Sequence, residues 1–353
     1  MIEEFHPRKT RLLIGHEKQL NIVKSAINNS KLHHSWIFEG PNGVGKATFA
    51  YSIANILLSS RKDNNKIHNQ IYNNVHPDLK IIEDDSIVSK QGATSNIIPV
   101  SKVREIEDFF SKTASYAGWR VAIIDSLDKL NIYGLNALLK ILEEPPKKSL
   151  ILAIANRNSN TIPTLRSRCN MLRFSLLKKS DCEKILTNLI ADLNIEIMNK
   201  LLILSEGSPG KAISIYENKG IEIYEKISEL FLNLPNISMT SIENIHELII
   251  SKSGNEALNI LRVLFTVFIS RTYRRHFNII NDDINKYEKD AQLNCIDKMS
   301  MSNLSTLWEN ICDNINQTIL FNLDKKQAVL EMVNELIKIL KYKENYVLNI
   351  NGK

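Results

Sequence analysis

The chain is 353 residues long, 43% apolar and 24% charged, with a formal net charge of +6. That length accommodates two or three domains with sizeable cores, and the composition excludes disordered, collagenous and disulfide-stapled classes. The excess of 45 Lys and Arg over 39 Asp and Glu permits contact with nucleic acid without requiring it.

Four cysteines, Cys169, Cys182, Cys295 and Cys312, make no C-x-x-C pair and read as reduced structural thiols of a cytoplasmic protein. The opening Met1-Ile2-Glu3-Glu4 is acidic and no apolar core follows it, so no secretory leader is expected. The most apolar run, residues 258–269, carries Arg262 and is too short to span a bilayer. It is expected to be a buried helix, with no role at a membrane.

In chain order, residues 7–14 form an entry segment, and Gly15-His16-Glu17 starts a helix reaching about Asn28. His33 and His34 are neighbours, point to opposite faces of an extended segment and have no third ligand nearby, so no metal site is expected there. Trp36-Ile37-Phe38 reads as a buried strand. Gly40 to Lys46 fill the frame G-x-x-x-x-G-K, and Phe49 to Leu58 continue as a helix. Strand, glycine-rich turn and helix in that order make a phosphate-binding loop. Gly40, Gly43 and Gly45 let backbone N–H groups converge on an anion at a helix N-terminus, and Lys46 would reach the outer phosphates.

The loop's last position departs from the frame. Ala47 stands where Ser or Thr would give a hydroxyl to Mg²⁺, and a methyl group cannot ligate a hard cation. Thr48 comes one residue late, about 100° further round the helix.

Residues 61–75 are polar, Asn-rich and free of glycine, and read as a surface excursion before a strand over 76–82. Residues 86–96 read as a loose connection. A helix over 101–114 places Val103, Ile106, Phe109 and Phe110 on one face. Residues 119–125 are a β-branched, unalternating run ending in Asp125, the pattern of a parallel strand buried on both faces. The acid is placed to hold a metal's water shell, as in the second nucleotide motif. Ser126 follows where hydrolytic versions carry a glutamate, and a serine hydroxyl is far too weak an acid to serve as that base near neutrality.

A helix over 131–144 carries Leu135, Leu138, Leu139 and Leu142 on one stripe and stops at Pro145-Pro146. Residues 150–155 form another buried strand, ending at Asn156, and 161–174 contain the basic turn Leu165-Arg166-Ser167-Arg168-Cys169. Strand and helix alternate this far, predicting an α/β domain built on a parallel sheet. Three short helices are expected over 180–193, 195–205 and 211–218, then a hinge at Leu234-Pro235-Asn236. Five further helices are expected over 241–251, 256–277, 283–299, 301–319 and 324–340, with a frayed tail over 341–353.

The helix motif Asn136-Ala137-Leu138-Leu139-Lys140-Ile141-Leu142-Glu143-Glu144-Pro145-Pro146 combines with Ser167-Arg168-Cys169, Gly15-His16-Glu17, His76-Pro77-Asp78 and Trp119-Arg120. Together they resemble the clamp-loader branch of the AAA+ ATPases. The resemblance is dense over 15–174, thinner over the three short helices, and rests on helical pattern alone beyond Pro235. It implies a RecA-like P-loop domain over 1–175, a three-helix lid over 176–235 and an all-α collar over 236–353.

The resemblance also implies a division of labour. Motor subunits bind ATP at interfaces, and a neighbour contributes the arginine of the Ser-Arg-Cys turn, here Arg168. The nucleotide site of this chain would comprise Gly40, Gly43, Gly45, Lys46, Asp125 and Asn156, degenerate at Ala47 and Ser126, and holding ATP or ADP weakly or not at all. Gly210 occupies the place where motor subunits carry a nucleotide-sensing arginine. No cysteine lies between Leu58 and His76, so the four-cysteine zinc module of many relatives is not expected. The implied partners are motor subunits (gamma/tau) and a delta subunit in a hetero-oligomeric ring, and, through it, a sliding clamp and primer-template DNA. The competing expectation is an active motor ATPase that tolerates Ala47 and recruits Asp128 or a nearby glutamate as base.

Overall fold

The structure, a computed structural model, describes residues 5–10, 12–59, 64–83, 98–115, 118–156, 162–250, 255–280 and 282–350. The connection expected over 86–96 and the start of the excursion, 61–63, lie outside the described residues. The chain divides into two compact units, one of residues 1–192 with 206–211, the other of 193–205 with 212–353.

In the first unit, α1 (Glu17–Asn28), β1 (Ser35–Glu39), α2 (Lys46–Leu58), α3 (Asn64–Tyr72) and β2 (Leu79–Glu83) are followed by α4 (Val100–Ser111), β3 (Arg120–Asp125) and α5 (Ile132–Glu143). Then come β4 (Ser149–Ala155), the single-turn α6 (Ile162–Leu165), β5 (Asn170–Arg173) and α7 (Lys179–Leu189). The strands form one parallel sheet in the order β2-β3-β4-β1-β5. β1, which feeds the glycine-rich turn, therefore lies between β4 and β5.

The unalternating strands are buried on both faces. In β3, Val121 and Ile123 join Phe38, Phe49, Ile53 and Val23 on one side of the sheet. Ala122 and Ile124 join Val103, Ile106, Leu138 and Leu142 on the other. Every residue of β4 is buried, and each large aliphatic side chain so enclosed contributes about 1.5–3 kcal/mol. Arg120 anchors the end of α4, its guanidinium donating to the carbonyls of Phe110 and Lys112.

The polar excursion contains a helix that its composition hides. α3 turns Ile67 and Ile71, four residues apart, into the core.

The second unit is helical: α8 (Ile195–Ser205), the greater part of α9 (Pro209–Glu217), α10 (Gly220–Leu232), α11 (Met239–Ile250), α12 (Glu256–His276), α13 (Glu288–Lys298), α14 (Met301–Leu320) and α15 (Lys325–Ile350). α12 is its centre, burying Leu258, Leu261, Leu264, Phe265 and Phe268 against α10, α13 and α14. Two expectations are corrected here. α10, with Ile223, Tyr224, Ile227, Leu230 and Phe231 buried, was not anticipated before the hinge. The tail is not frayed from Lys341: α15 continues to Ile350, since no Gly or Pro interrupts 325–350. Among the described residues no helix is long and apolar enough to cross a membrane.

Candidate functional site

β1 delivers the glycine-rich turn at the carboxyl edge of the sheet. Gly43 (φ +74°) and Gly45 (φ +99°) occupy the left-handed region, which lets the turn reverse and hand over to α2 at Lys46. Lys46 is buried. Its ammonium donates to the carbonyls of Gly40 at 2.7 Å and Pro41 at 2.6 Å, so it is folded back on the turn that it follows. Burial lowers its pKa to about 8, against the pull of the Asp125 and Asp128 carboxylates. His16, from the start of α1, braces the turn through a 2.8 Å contact between Nε2 and the Val44 carbonyl.

A second segment of the same unit straps the turn. Ser208 Oγ donates to the Asn42 carbonyl at 2.8 Å, and the Gly210 amide donates to the Gly43 carbonyl at 2.8 Å. The backbones are so close that a Cβ on Gly210 would lie 2.7 Å from the Gly43 Cα. A Cβ on Gly43 would in turn meet Ser208 Oγ at 2.5 Å.

The second motif lies on the same edge as the first because β3 is parallel to β1, one strand away across β4. Asp125 ends β3 opposite Glu83 of β2. Burial, then the Glu83 carboxylate, raise its pKa, with Lys129, Lys46 and His6 opposing. Glu83 accepts from the Tyr51 hydroxyl at 2.6 Å and lies 3.5 Å from His6 Nε2. Burial works against its charge, yet these partners and Arg8 hold its carboxyl below the usual range. Asp128 accepts from the Ser126 hydroxyl at 2.8 Å and from the Asn156 amide at 2.9 Å. Lys46, Asp125, Asp128 and Asn156 thus share one edge of the sheet, and the Asp128 carboxylate is engaged by Ser126 and Asn156. The donor set suits a phosphate better than a hydrated divalent metal: Ala47 presents a methyl and Asp125 resists ionisation.

Arg168 is elsewhere. It precedes β5, whose register with β1 pairs Asn170 with Trp36, and its carbonyl accepts from Ser35 Oγ at 2.8 Å. It therefore stands at the amino edge of the sheet, while the glycine-rich turn leaves the carboxyl edge. The length of β1, about 13 Å at ~3.3 Å per residue, separates the two. The Arg168 Nη2 lies 2.7 Å from Glu143 Oε1 at the end of α5, and Nη1 donates to Ser167 Oγ at 3.2 Å. Arg166 is exposed. The Cys169 thiol beside it is half-buried and pushed up by that burial.

The structure therefore brings Gly40, Gly43, Gly45, Lys46, Asp125 and Asn156 to one edge and leaves Arg168 at the other. Sequence reasoning did not reach the strap from Ser208 to Gly210, the Glu83, Tyr51 and His6 cluster, or Glu143 as the partner of Arg168. Of these, Glu143 and Gly210 lay in motifs already singled out, but their contacts did not.

Residues 15–178 match the family model described as DNA polymerase III, delta subunit. The DNA polymerase III subunit delta' of Pseudomonas aeruginosa is 30% identical over 182 residues, 50% of this chain and 53% of that protein. The DNA polymerase III subunit gamma of Buchnera aphidicola from Schizaphis graminum is 27% identical over 231 residues, 62% of this chain and 60% of that protein. The chain thus spans between half and two thirds of the length of these relatives. A crystal structure of a DNA polymerase III gamma subunit-related protein from Thermotoga maritima superposes with a TM-score of 0.50 at 15% identity, covering 91% of this chain and 99% of that one. At that identity the likeness is one of fold.

Proposed function

We propose that this chain, which belongs to the clamp-loader branch of the AAA+ family, works as a delta-prime-like, hydrolysis-incompetent subunit lending Arg168 to a neighbour's ATP. One observation carries the proposal. Arg168 lies at the sheet edge opposite its own glycine-rich turn, a placement that does not suit service to that turn and supports a role toward another chain's nucleotide. An arginine suits that task because it stays charged and offers a planar fork to the charge spreading over a γ-phosphate. Such residues contribute about 10³–10⁵-fold in related phosphoryl transfers.

The chain's own turn is suited at most to weak binding of ATP or ADP. Lys46 is folded back on two carbonyls, Ala47 provides no metal ligand, and neither Ser126 nor the engaged Asp128 is poised as a base. If magnesium nucleotide did enter, Gly43, Gly45 and Lys46 would face its phosphates and Asp125 its metal. The partners would be gamma/tau motor subunits and a delta subunit in a ring, and the reaction served would be the loading of a sliding clamp onto primed DNA.

The test reconstitutes the chain with motor subunits and compares DNA-stimulated ATP turnover between wild type and Arg168→Ala. A drop with the assembly intact is expected; unchanged turnover would remove Arg168 from the mechanism. The likeness to a gamma subunit favours an active motor as the second reading. Hydrolysis by the isolated chain that Lys46→Ala abolishes would establish it in place of the first.

A further inference from the structure

We infer that Glu143 is a positioning residue that holds Arg168 within its own chain until a neighbour's phosphate displaces it. The inference rests on the trans role proposed above and concerns how that role is regulated. A carboxylate and a phosphate offer a guanidinium the same planar pair of acceptors, and Glu143 Oε1 occupies one end of the Arg168 fork at 2.7 Å. Ser167 Oγ engages the other terminal nitrogen at 3.2 Å. Both terminal nitrogens, the ones that would grip a γ-phosphate, are therefore engaged by groups of the same chain.

The backbone fixes the geometry from both sides. Glu143 is the last residue of α5. The turn carrying Arg168 is tied to β1 by the Ser35 Oγ bond to its carbonyl and closed by the Arg168 amide donating to the Leu165 carbonyl at 3.0 Å. The side chains lean together without either backbone having to move.

The pair is a weak latch. Arg168 is 39% and Glu143 52% exposed, so water and salt screen the attraction. A triphosphate carries several negative charges and outcompetes one carboxylate, and Glu143 then faces the phosphate as a like charge. Holding the arginine aside lowers the fraction of chains ready to engage and raises the apparent ATP requirement by the same factor. For an exposed pair that factor is about two- to five-fold.

The experiment uses the reconstituted ring with primed DNA and varies ATP for wild type, Glu143→Gln, Arg168→Ala and the double variant. Glu143→Gln is expected to lower KM for ATP about two- to five-fold, with the ratio shrinking as salt is raised, and the double variant is expected to match Arg168→Ala. An unchanged or raised KM in Glu143→Gln, while Arg168→Ala loses turnover, overturns the latch and leaves the trans role standing. Unchanged turnover in Arg168→Ala overturns the trans role and the latch with it.

Discussion

The Gly210 amide donates to the Gly43 carbonyl at 2.8 Å, and the two backbones are in direct contact. Position 210 is where the clamp-loader resemblance places the sensing arginine of motor subunits. Here any side chain would begin with a Cβ 2.7 Å from the Gly43 Cα and 3.0 Å from its carbonyl oxygen. The missing arginine and the strapped turn are thus one feature: the glycine allows the strap to lie against the phosphate-binding backbone.

Restoring that arginine should therefore harm the protein. Gly210→Arg is expected to destabilise the first unit by about 1–3 kcal/mol, the usual cost of forcing atoms into a packed contact. It should bring no tighter binding of labelled nucleotide. Urea unfolding and a fluorescence titration check both halves, and a variant as stable as wild type would show that the strap yields readily.

Restoring the metal ligand should be harmless but insufficient. Ala47 lies in the first turn of α2 and is half-buried against the core, and a serine adds one hydroxyl there. On the proposed reading turnover would still lack a base, since Ser126 follows Asp125 and the Asp128 carboxylate accepts from the Ser126 hydroxyl and the Asn156 backbone amide. Phosphate release by isolated Ala47→Ser is expected to stay at background with magnesium and ATP. Measurable turnover would mean that a base survives in this site.

The pH dependence of Lys46 has a definite sign. Burial lowers its pKa from the ordinary 10.5 to about 8, so the folded chain releases this proton more readily than the unfolded one. Between about pH 8 and 10.5 the unfolded state binds more protons at this group, and its contribution to stability rises with pH across that window. The charge available to a phosphate follows the opposite course, falling as pH rises through 8. Affinity for pyrophosphate is thus expected to decline above about pH 8 in wild type and to be low and flat in Lys46→Met. A wild-type affinity unchanged up to pH 9.5 would mean that the ammonium keeps its proton.

The architecture of the first unit was legible because its signals are local. The runs 119–125 and 150–155 are apolar without alternation, which burial on both faces of a parallel sheet requires. The edge shared by Lys46, Asp125 and Asn156 then follows, since parallel neighbouring strands end together. α3 was not legible because, among its described side chains, Ile67 and Ile71 alone are buried anchors in an Asn-rich segment. α10 was missed although its buried positions, 223, 224, 227, 230 and 231, follow helical spacing. The contacts that refine the site come from distant segments: Ser208 lies 166 positions from Asn42, and Glu143 meets Arg168 only because the chain folds back past Pro145-Pro146. No periodicity encodes such meetings.

The helical unit supplies the last prediction. Arg271 on α12 and Glu288 on α13 are 4% and 0% exposed, with Nε 2.5 Å from Oε1. Glu288 also accepts from the Tyr224 hydroxyl at 2.7 Å, the Ile284 amide at 2.6 Å and Gln292 at 3.0 Å. Arg271 donates further to the Asp282 carbonyl at 2.7 Å. Taking two charges out of water is costly, so this pair is held by the completeness of its hydrogen bonds more than by attraction alone. Removing one member leaves the other buried and unmatched, and Glu288→Ala should cost about 3–5 kcal/mol. Tyr224→Phe removes one bond to a charged acceptor and should cost about 1.5–3 kcal/mol. Replacing both charges by apolar residues, as in Arg271→Met with Glu288→Leu, should recover only part of the loss: no orphan charge remains, but the Tyr224 hydroxyl, the Ile284 amide and Gln292 lose their acceptor. Urea unfolding of these three variants, and of Arg271→Met and Glu288→Leu made singly, ranks them. If the double variant is as unstable as the sum of its single changes, the two side chains act independently and the network account is wrong.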